Sequence, residues 1–247
     1  DDYLAEWRKA DPTPVSDDLE AEADKAAAEL EAAYDRERLV ALVKAGKVDE
    51  AKALYPTARS SWERIEPVAE SFGDLDPKID GRAEVEAEGM EFTGFHRLER
   101  DLWETGLQPD SAAMADRLLA DVTELVTRAK AVELNPLQLA NGSKALLDEI
   151  ATGKITGEEE RYSHTDLWDF EANVEGSTAA IAALRPYLAT ADPALVATID
   201  ERGKALSDLL ETYREGDGFV LYTDLTPQDV KKLTTALDAF SEPVATV

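Results

Sequence analysis

Two pairs, Asp192-Pro193 and Thr226-Pro227, do most to limit what this chain can fold into. In each, a side-chain oxygen precedes a proline. The oxygen satisfies a free amide of a helical first turn, where proline gives up no hydrogen bond. Both therefore predict helix starts. The rest of the chain points the same way. Leu19 to Ala45 is rich in Ala, Glu, Leu and Lys, with Leu39, Leu42 and Val43 at helical spacing and Gly46 as a stop. Val48 to Leu54 and Pro56 to Phe72 form a second helical region, bent near Pro56 and Pro67. Gly73 to Gly81 reads as a loop, and helical pattern resumes near Arg82 and runs to Trp103, weakened by Gly89 and Gly94.

Asp110 can cap a helix over Ala112 to Val132, whose apolar stripe is Leu118, Leu119, Val122, Leu125 and Val126; Asn135-Pro136 breaks it. A short helix over Ser143 to Ala151, a turn at Gly153 to Gly157 and a helix over Thr165 to Leu188 follow. Gly216 to Thr223 is the only strand-like run. The fold class is all-α, with about seven helices. His96 with Asp101-Leu102-Trp103, and His164 with Asp166-Leu167-Trp168, form a weak internal echo that hints at two related halves.

With 247 residues, 44% of them hydrophobic, the chain can build a substantial core. Acidic residues outnumber basic ones 53 to 26, for a formal charge of −27. Such a field disfavours nucleic acid and anionic membranes, which need a basic face, and raises the local concentration of cations. The absence of cysteine excludes disulfides, thiolate metal sites and cysteine nucleophiles. No apolar run approaches the roughly 18 residues of a membrane span, and no basic-then-apolar signal segment opens the sequence.

The chemistry centres on Gly94-Phe95-His96-Arg97-Leu98-Glu99. His96 and Glu99 lie three residues apart, on one helical face and within reach of one ion. Glu63, Glu66 and Glu70 also share a face; a solvated stripe is the simpler reading for three like charges unless cations bridge them. Asp74, Asp76 and Asp80 suit turns as readily as ligands. Gly157 to Phe170 mixes Glu158, Glu159 and Glu160 with Tyr162, His164, Asp166 and Asp169, the composition of a site wall. Several enzyme templates fail. There is no His-Glu-x-x-His helix, no Gly-x-Ser-x-Gly elbow and no phosphate-binding glycine loop. The Glu-x-x-His pairs of a di-iron bundle are missing too, because Thr93 and Arg161 stand three residues before the histidines.

Three stretches in order, Ile65 to Asp76, Gly94 to Glu99 and Tyr162 to Phe170, with Tyr222-Thr223-Asp224-Leu225-Thr226 near the end, resemble the imelysin-like (insulin-cleaving peptidase-like) family, in its EfeO-type branch from bacterial iron uptake. The resemblance implies one all-helical domain over residues 19–247, made of two packed four-helix-bundle-like halves with no linker; residues 1–18 match poorly. It implies an extracytoplasmic place, periplasmic or at the cell surface, with a membrane anchor or a cupredoxin-like domain removed from some forms. It also implies capture of ferric or ferrous ion for an iron permease, alongside a haem peroxidase. The family's His-x-x-Glu motif falls on His96 and Glu99, its acidic positions on Glu63, Glu66 and Asp80, and its Gly-Glu-Glu stretch offers Glu159.

The expected site is therefore a metal centre in a cleft between the halves, with nitrogen from His96 and oxygens from Glu99, Glu66 and either Glu63 or Asp80. Such a donor set suits iron first and admits zinc or copper. His164, Asp166 and Asp169 are either structural or a secondary site. No catalytic residue is assigned. A metal-dependent peptidase is the alternative, but no general base stands out.

Overall fold

The computed structural model describes residues 35–247, the side chain of Glu70 apart. The earlier part of the helix expected over Leu19 to Ala45 lies outside the described residues, and its end is helical over 35–44 (α1). The longer helices are α2 (Val48–Ile65), α4 (Gly94–Trp103), α5 (Ser111–Ala129), α6 (Pro136–Thr152), α7 (Asp166–Ala191), α8 (Pro193–Glu211) and α9 (Pro227–Val244), with a short α3 (Leu75–Asp80) between α2 and α4. The only strands among the described residues, β1 (Arg214–Glu215) and β2 (Gly218–Phe219), pair antiparallel in one small hairpin. The protein is all-α.

Local chemistry accounts for the boundaries. The side chain of Asp192 accepts from the amides of Ala194 and Leu195, and Thr226 and Asp229 form a reciprocal capping box. Asn135 does the same with Gln138, so Asn135-Pro136 starts the 17-residue α6, longer than the short helix expected from Ser143. Asp110 makes no cap bond. It accepts from Arg97 Nη2 at 2.9 Å, while Ser111 Oγ donates to Asp101 at 2.6 Å and ties the start of α5 to α4. Pro56 sits inside α2 without ending it. Pro67 falls where the chain tightens into a 3₁₀ stretch, Glu66–Phe72. The expected loop at Gly73 to Gly81 holds α3, and the helical pattern expected from Arg82 to Trp103 divides into a 3₁₀ stretch, Ala83–Glu88, that stops at Gly89 with φ +82°, and α4 from Gly94.

Apolar side chains gather in two separate cores. One joins α1 to α5 around Leu39, Tyr55, Leu75, Phe95, Leu98 and Leu118. The other joins α6 to α9 around Leu147, Ile150, Leu167, Leu206, Leu233 and Phe240. Between the cores, α2 lies along α7, and α6 lies along the 3₁₀ stretch after α2. Glycines allow both approaches: a Cβ on Gly176 would lie 2.2 Å from the Arg64 carbonyl oxygen, and one on Gly142 only 1.7 Å from that of Pro67. Backbones this close leave room for side chains only along the rest of the seam. There the fold buries charge instead of hydrocarbon.

Candidate metal centre

One stripe of α2 supplies one wall. Tyr55, Arg59, Glu63 and Glu66 follow one another at helical spacing, and the first three are fully buried. Arg59 is the hub. Its Nη1 pairs with Asp80, its Nη2 with Glu63 at 2.6 Å and Glu159 at 3.1 Å, and its Nε lies 2.6 Å from Glu160 and 3.5 Å from Asp169. An isolated buried guanidinium would be prohibitive, so these carboxylates are what permit it.

The second wall is α4, and its first residue explains its position. Gly94 has φ +81°, and a Cβ there would lie 2.1 Å from the carbonyl oxygen of Ile79. Thr93 Oγ1 donates to the Lys78 carbonyl at 2.9 Å. Glycine thus lets α4 start against the end of α3, which sets His96 beside Asp80.

The third wall comes from the other half of the molecule, the loop that carries Glu159 and Glu160 into α7. His164 adopts φ +61°, its amide donates to the Glu160 carbonyl at 2.8 Å, and its carbonyl accepts from Tyr222 at 2.9 Å. Ser163 Oγ donates to Glu160 at 2.7 Å, and Asp166 accepts from the Glu160 amide at 3.2 Å. These bonds fix the direction of Glu160, and Arg59 Nη2 at 3.1 Å and Arg82 Nη1 at 3.2 Å hold the carboxylate of Glu159.

The imidazole of His96 lies where the walls meet and is 2% exposed. Its Nδ1 faces Glu99 Oε2 at 3.2 Å and Glu160 at 3.8 Å; its Nε2 faces Glu159 Oε1 at 3.4 Å and Asp80 Oδ1 at 3.6 Å but makes no hydrogen bond. Glu99 Oε1 accepts from the amides of Tyr162 and Ser163, both at 2.8 Å. Burial and the charge of Arg59 push the imidazolium down, but the carboxylates of Glu159, Glu99 and Asp80 outweigh both and hold its pKa at about 9. Glu159 is raised by burial yet held well below the ordinary range by Lys154, His96 and Arg59. Glu160, buried beside Glu99, is pushed well above it.

Among the described residues, two sets of donors lie close enough together to hold one ion: Asp80, His96 and Glu159, and His96, Glu99 and Glu160. Both are built on His96, one on each ring nitrogen. Glu63 and Glu66 are in neither set. They surround the Lys154 ammonium, at 2.9 Å and 2.6 Å, and both accept from Asn173 Nδ2, at 2.8 Å and 2.7 Å. His164, Asp166 and Asp169 do not converge on a common point: His164 shapes the loop through its backbone, Asp166 holds the Glu160 amide, and Asp169 faces Arg59. Burial raises the Asp166 carboxyl to about 6. Glu160, which the sequence offers only as part of a mixed site-wall stretch, completes the centre with Arg59, Lys154 and Asn173, which the sequence does not single out. The signal for Arg59 was its place one turn before Glu63 and one turn after Tyr55.

A cleft of about 640 Å³ opens onto this centre. Glu66, Asp80 and Arg82 line it from one half, and Asn141, Glu149 and Glu159 from the other. The Nε2 side of His96 therefore adjoins the cleft through Asp80 and Glu159, whereas Glu99 and Glu160 are sealed behind the ring.

The imelysin family model (peptidase M75) matches residues 17–247. The chain belongs to the imelysin family. It is 43% identical over 213 residues to an Efem/EfeO family lipoprotein of Staphylococcus haemolyticus, covering 85% of this chain and 74% of that protein. It is 44% identical over 206 residues to the iron uptake system component EfeO of Escherichia coli O157:H7, covering 82% of this chain and 55% of the relative, and it matches the K12 protein of the same name to the same extent. The chain thus spans about half the length of these Escherichia coli relatives. Among the described residues, no helix is long and apolar enough to cross a membrane.

Proposed function

We propose that this domain captures a metal ion as cargo for a bacterial iron-uptake system, outside the cytoplasm, and passes it on to a membrane permease. The names of its relatives support the setting: iron uptake for those of Escherichia coli, and a lipoprotein for that of Staphylococcus haemolyticus. The observation that carries the reading is the buried Nε2 of His96, free of hydrogen bonds and facing Asp80 and Glu159 beside the cleft.

In this reading His96 Nε2, Asp80 and Glu159 are the first ligands, and water from the cleft completes the coordination. Glu99 holds Nδ1–H and so keeps the Nε2 lone pair directed at the ion, as carboxylates behind metal-bound histidines do. Carboxylate oxygens suit iron, and the single imidazole also admits zinc or copper. Incomplete protein ligation suits a carrier, which must release what it binds. The role needs no catalytic residue, so we take the domain to be a binding component and not a peptidase. Metal-loaded protein is expected to leave a peptide library uncut.

Calorimetric titration of the chain with Zn²⁺, and with chelated Fe³⁺, tests the assignment. One ion per chain and its loss in His96→Ala are expected. Unaltered binding in His96→Ala overturns the site.

A further inference from the structure

We infer that Tyr222 is a positioning residue for metal capture: it braces the loop that carries Glu159 and Glu160 and so sets where Glu159 stands beside His96. The inference rests on the metal-binding reading above and names what keeps one of its proposed ligands in place. The guanidinium groups on the Glu159 carboxylate, Arg59 and Arg82, both belong to the first half of the molecule. The main chain of Glu159 belongs to the second half and has to be located from there. Tyr222 does this at three points. Its Oη donates to the Ile155 carbonyl ahead of the loop, and its ring lies against Gly157. Its amide donates to the His164 carbonyl at 2.9 Å, where the loop ends.

The partners of Tyr222 are shaped for these contacts. Gly157 has φ +76°, and a Cβ there would collide with the Tyr222 ring, so glycine supplies both the backbone conformation and the space. His164 holds φ +61° without being glycine, a conformation that persists only where the surroundings hold it. The Tyr222 amide on its carbonyl is one such hold. Tyr222 itself stands in a 3₁₀ turn, Tyr222–Asp224, and its carbonyl accepts from the Leu225 amide at 3.1 Å. That turn runs directly into the capping box of Thr226 and Asp229 that starts α9. The stretch from Tyr222 to Thr226 therefore links a helix of the second core to the site loop. Glu99 grips the same loop from the first half, through the amides of Tyr162 and Ser163.

Zn²⁺ titration of Tyr222 variants, with the metal-free proteins compared in parallel, tests this. Tyr222→Phe keeps the ring and loses only the donation to Ile155, so affinity should fall by about three- to tenfold. Tyr222→Ala loses both side-chain contacts, and a fall of about 10- to 100-fold is expected. A residue that acts through Glu159 loses most of its effect once Glu159 is changed. In a Glu159→Gln background Tyr222→Phe should therefore matter by less than about twofold, whereas general loosening of the fold would give the same factor in both backgrounds. A second readout needs no metal. Hydrogen exchange read by NMR should quicken at the amides of Tyr162, Ser163 and His164 in Tyr222→Ala, while the amides of α2 keep their rate. Wild type that binds no Zn²⁺, with this local quickening in the variant, sinks the functional reading and leaves the brace standing. Unchanged affinity in Tyr222→Ala, equal factors in the two backgrounds, or unchanged exchange in the loop overturns the inference.

Discussion

The two edges of the His96 ring are built on opposite plans. On the Nδ1 edge the groups are already committed: two main-chain amides hold Glu99, and Ser163 with Arg59 holds Glu160. On the Nε2 edge the nitrogen makes no hydrogen bond, and Asp80 and Glu159 border the cleft. The difference separates orientation from capture. A closed edge fixes the ring at the cost of being unable to bind anything new. An open edge leaves a buried ring nitrogen beside the cleft, whose proton an entering cation can replace.

Substitution at the ring should give the largest effect. His96→Ala is expected to lower Zn²⁺ affinity by about 100-fold or more, since the removed group joins both edges. Glu99→Gln keeps the volume and loses only the charge behind Nδ1, so a loss of about 10- to 100-fold is expected. If Glu99→Gln instead abolished binding as completely as His96→Ala, Glu99 would be a direct ligand and the contrast between the edges would fail.

Acidity acts next, by about tenfold per pH unit. With its pKa at about 9, the His96 ring is protonated at neutral pH in the metal-free protein, and an ion must expel that proton. Zn²⁺ affinity should therefore climb with pH up to about 9, with one proton released per ion, which calorimetry in buffers of different ionisation enthalpy reads directly. Stability without metal has the opposite dependence. The folded pKa lies above the ordinary value of 6.5, so the contribution of the charged ring is complete below 6.5 and fades as pH rises through about 9. Urea melts of the metal-free chain should show that loss. Smallest is Arg82→Gln at the rim. Arg82 lies 3.2 Å from Glu159 Oε2 with its side chain 36% exposed, so removing it should raise affinity by less than about tenfold.

The helices were legible because their starts are local events, as at Asp192-Pro193 and Thr226-Pro227. That His96, Asp80 and Glu159 belong together was legible because the family resemblance marked them, and the structure brings them within reach of one another. Their division between two edges was not, since the contacts that make it join residues far apart in sequence. Lys154 and Glu63 are 91 positions apart, and Tyr162 reaches Glu99 across 63. The same distance hid the burial of Glu63. Glutamates along one face read as a wet stripe until Lys154 is placed against Glu63 and Glu66, and Lys154 does not stand out in its own neighbourhood. Gly94 was legible only as a weak point in a helix. Its purpose, a backbone approach to Ile79 that a side chain would block, depends on α3, which the sequence presents as a loop.

Each half of the molecule keeps its own apolar core, while the ligands proposed for a single ion come from both. Cutting the chain between α5 and α6 would therefore yield two fragments with separate interiors and only part of the donor set each. Metal would then act as cement: the affinity of the fragments for one another should depend on dissolved zinc or iron, and their reunion would report the concentration of that metal.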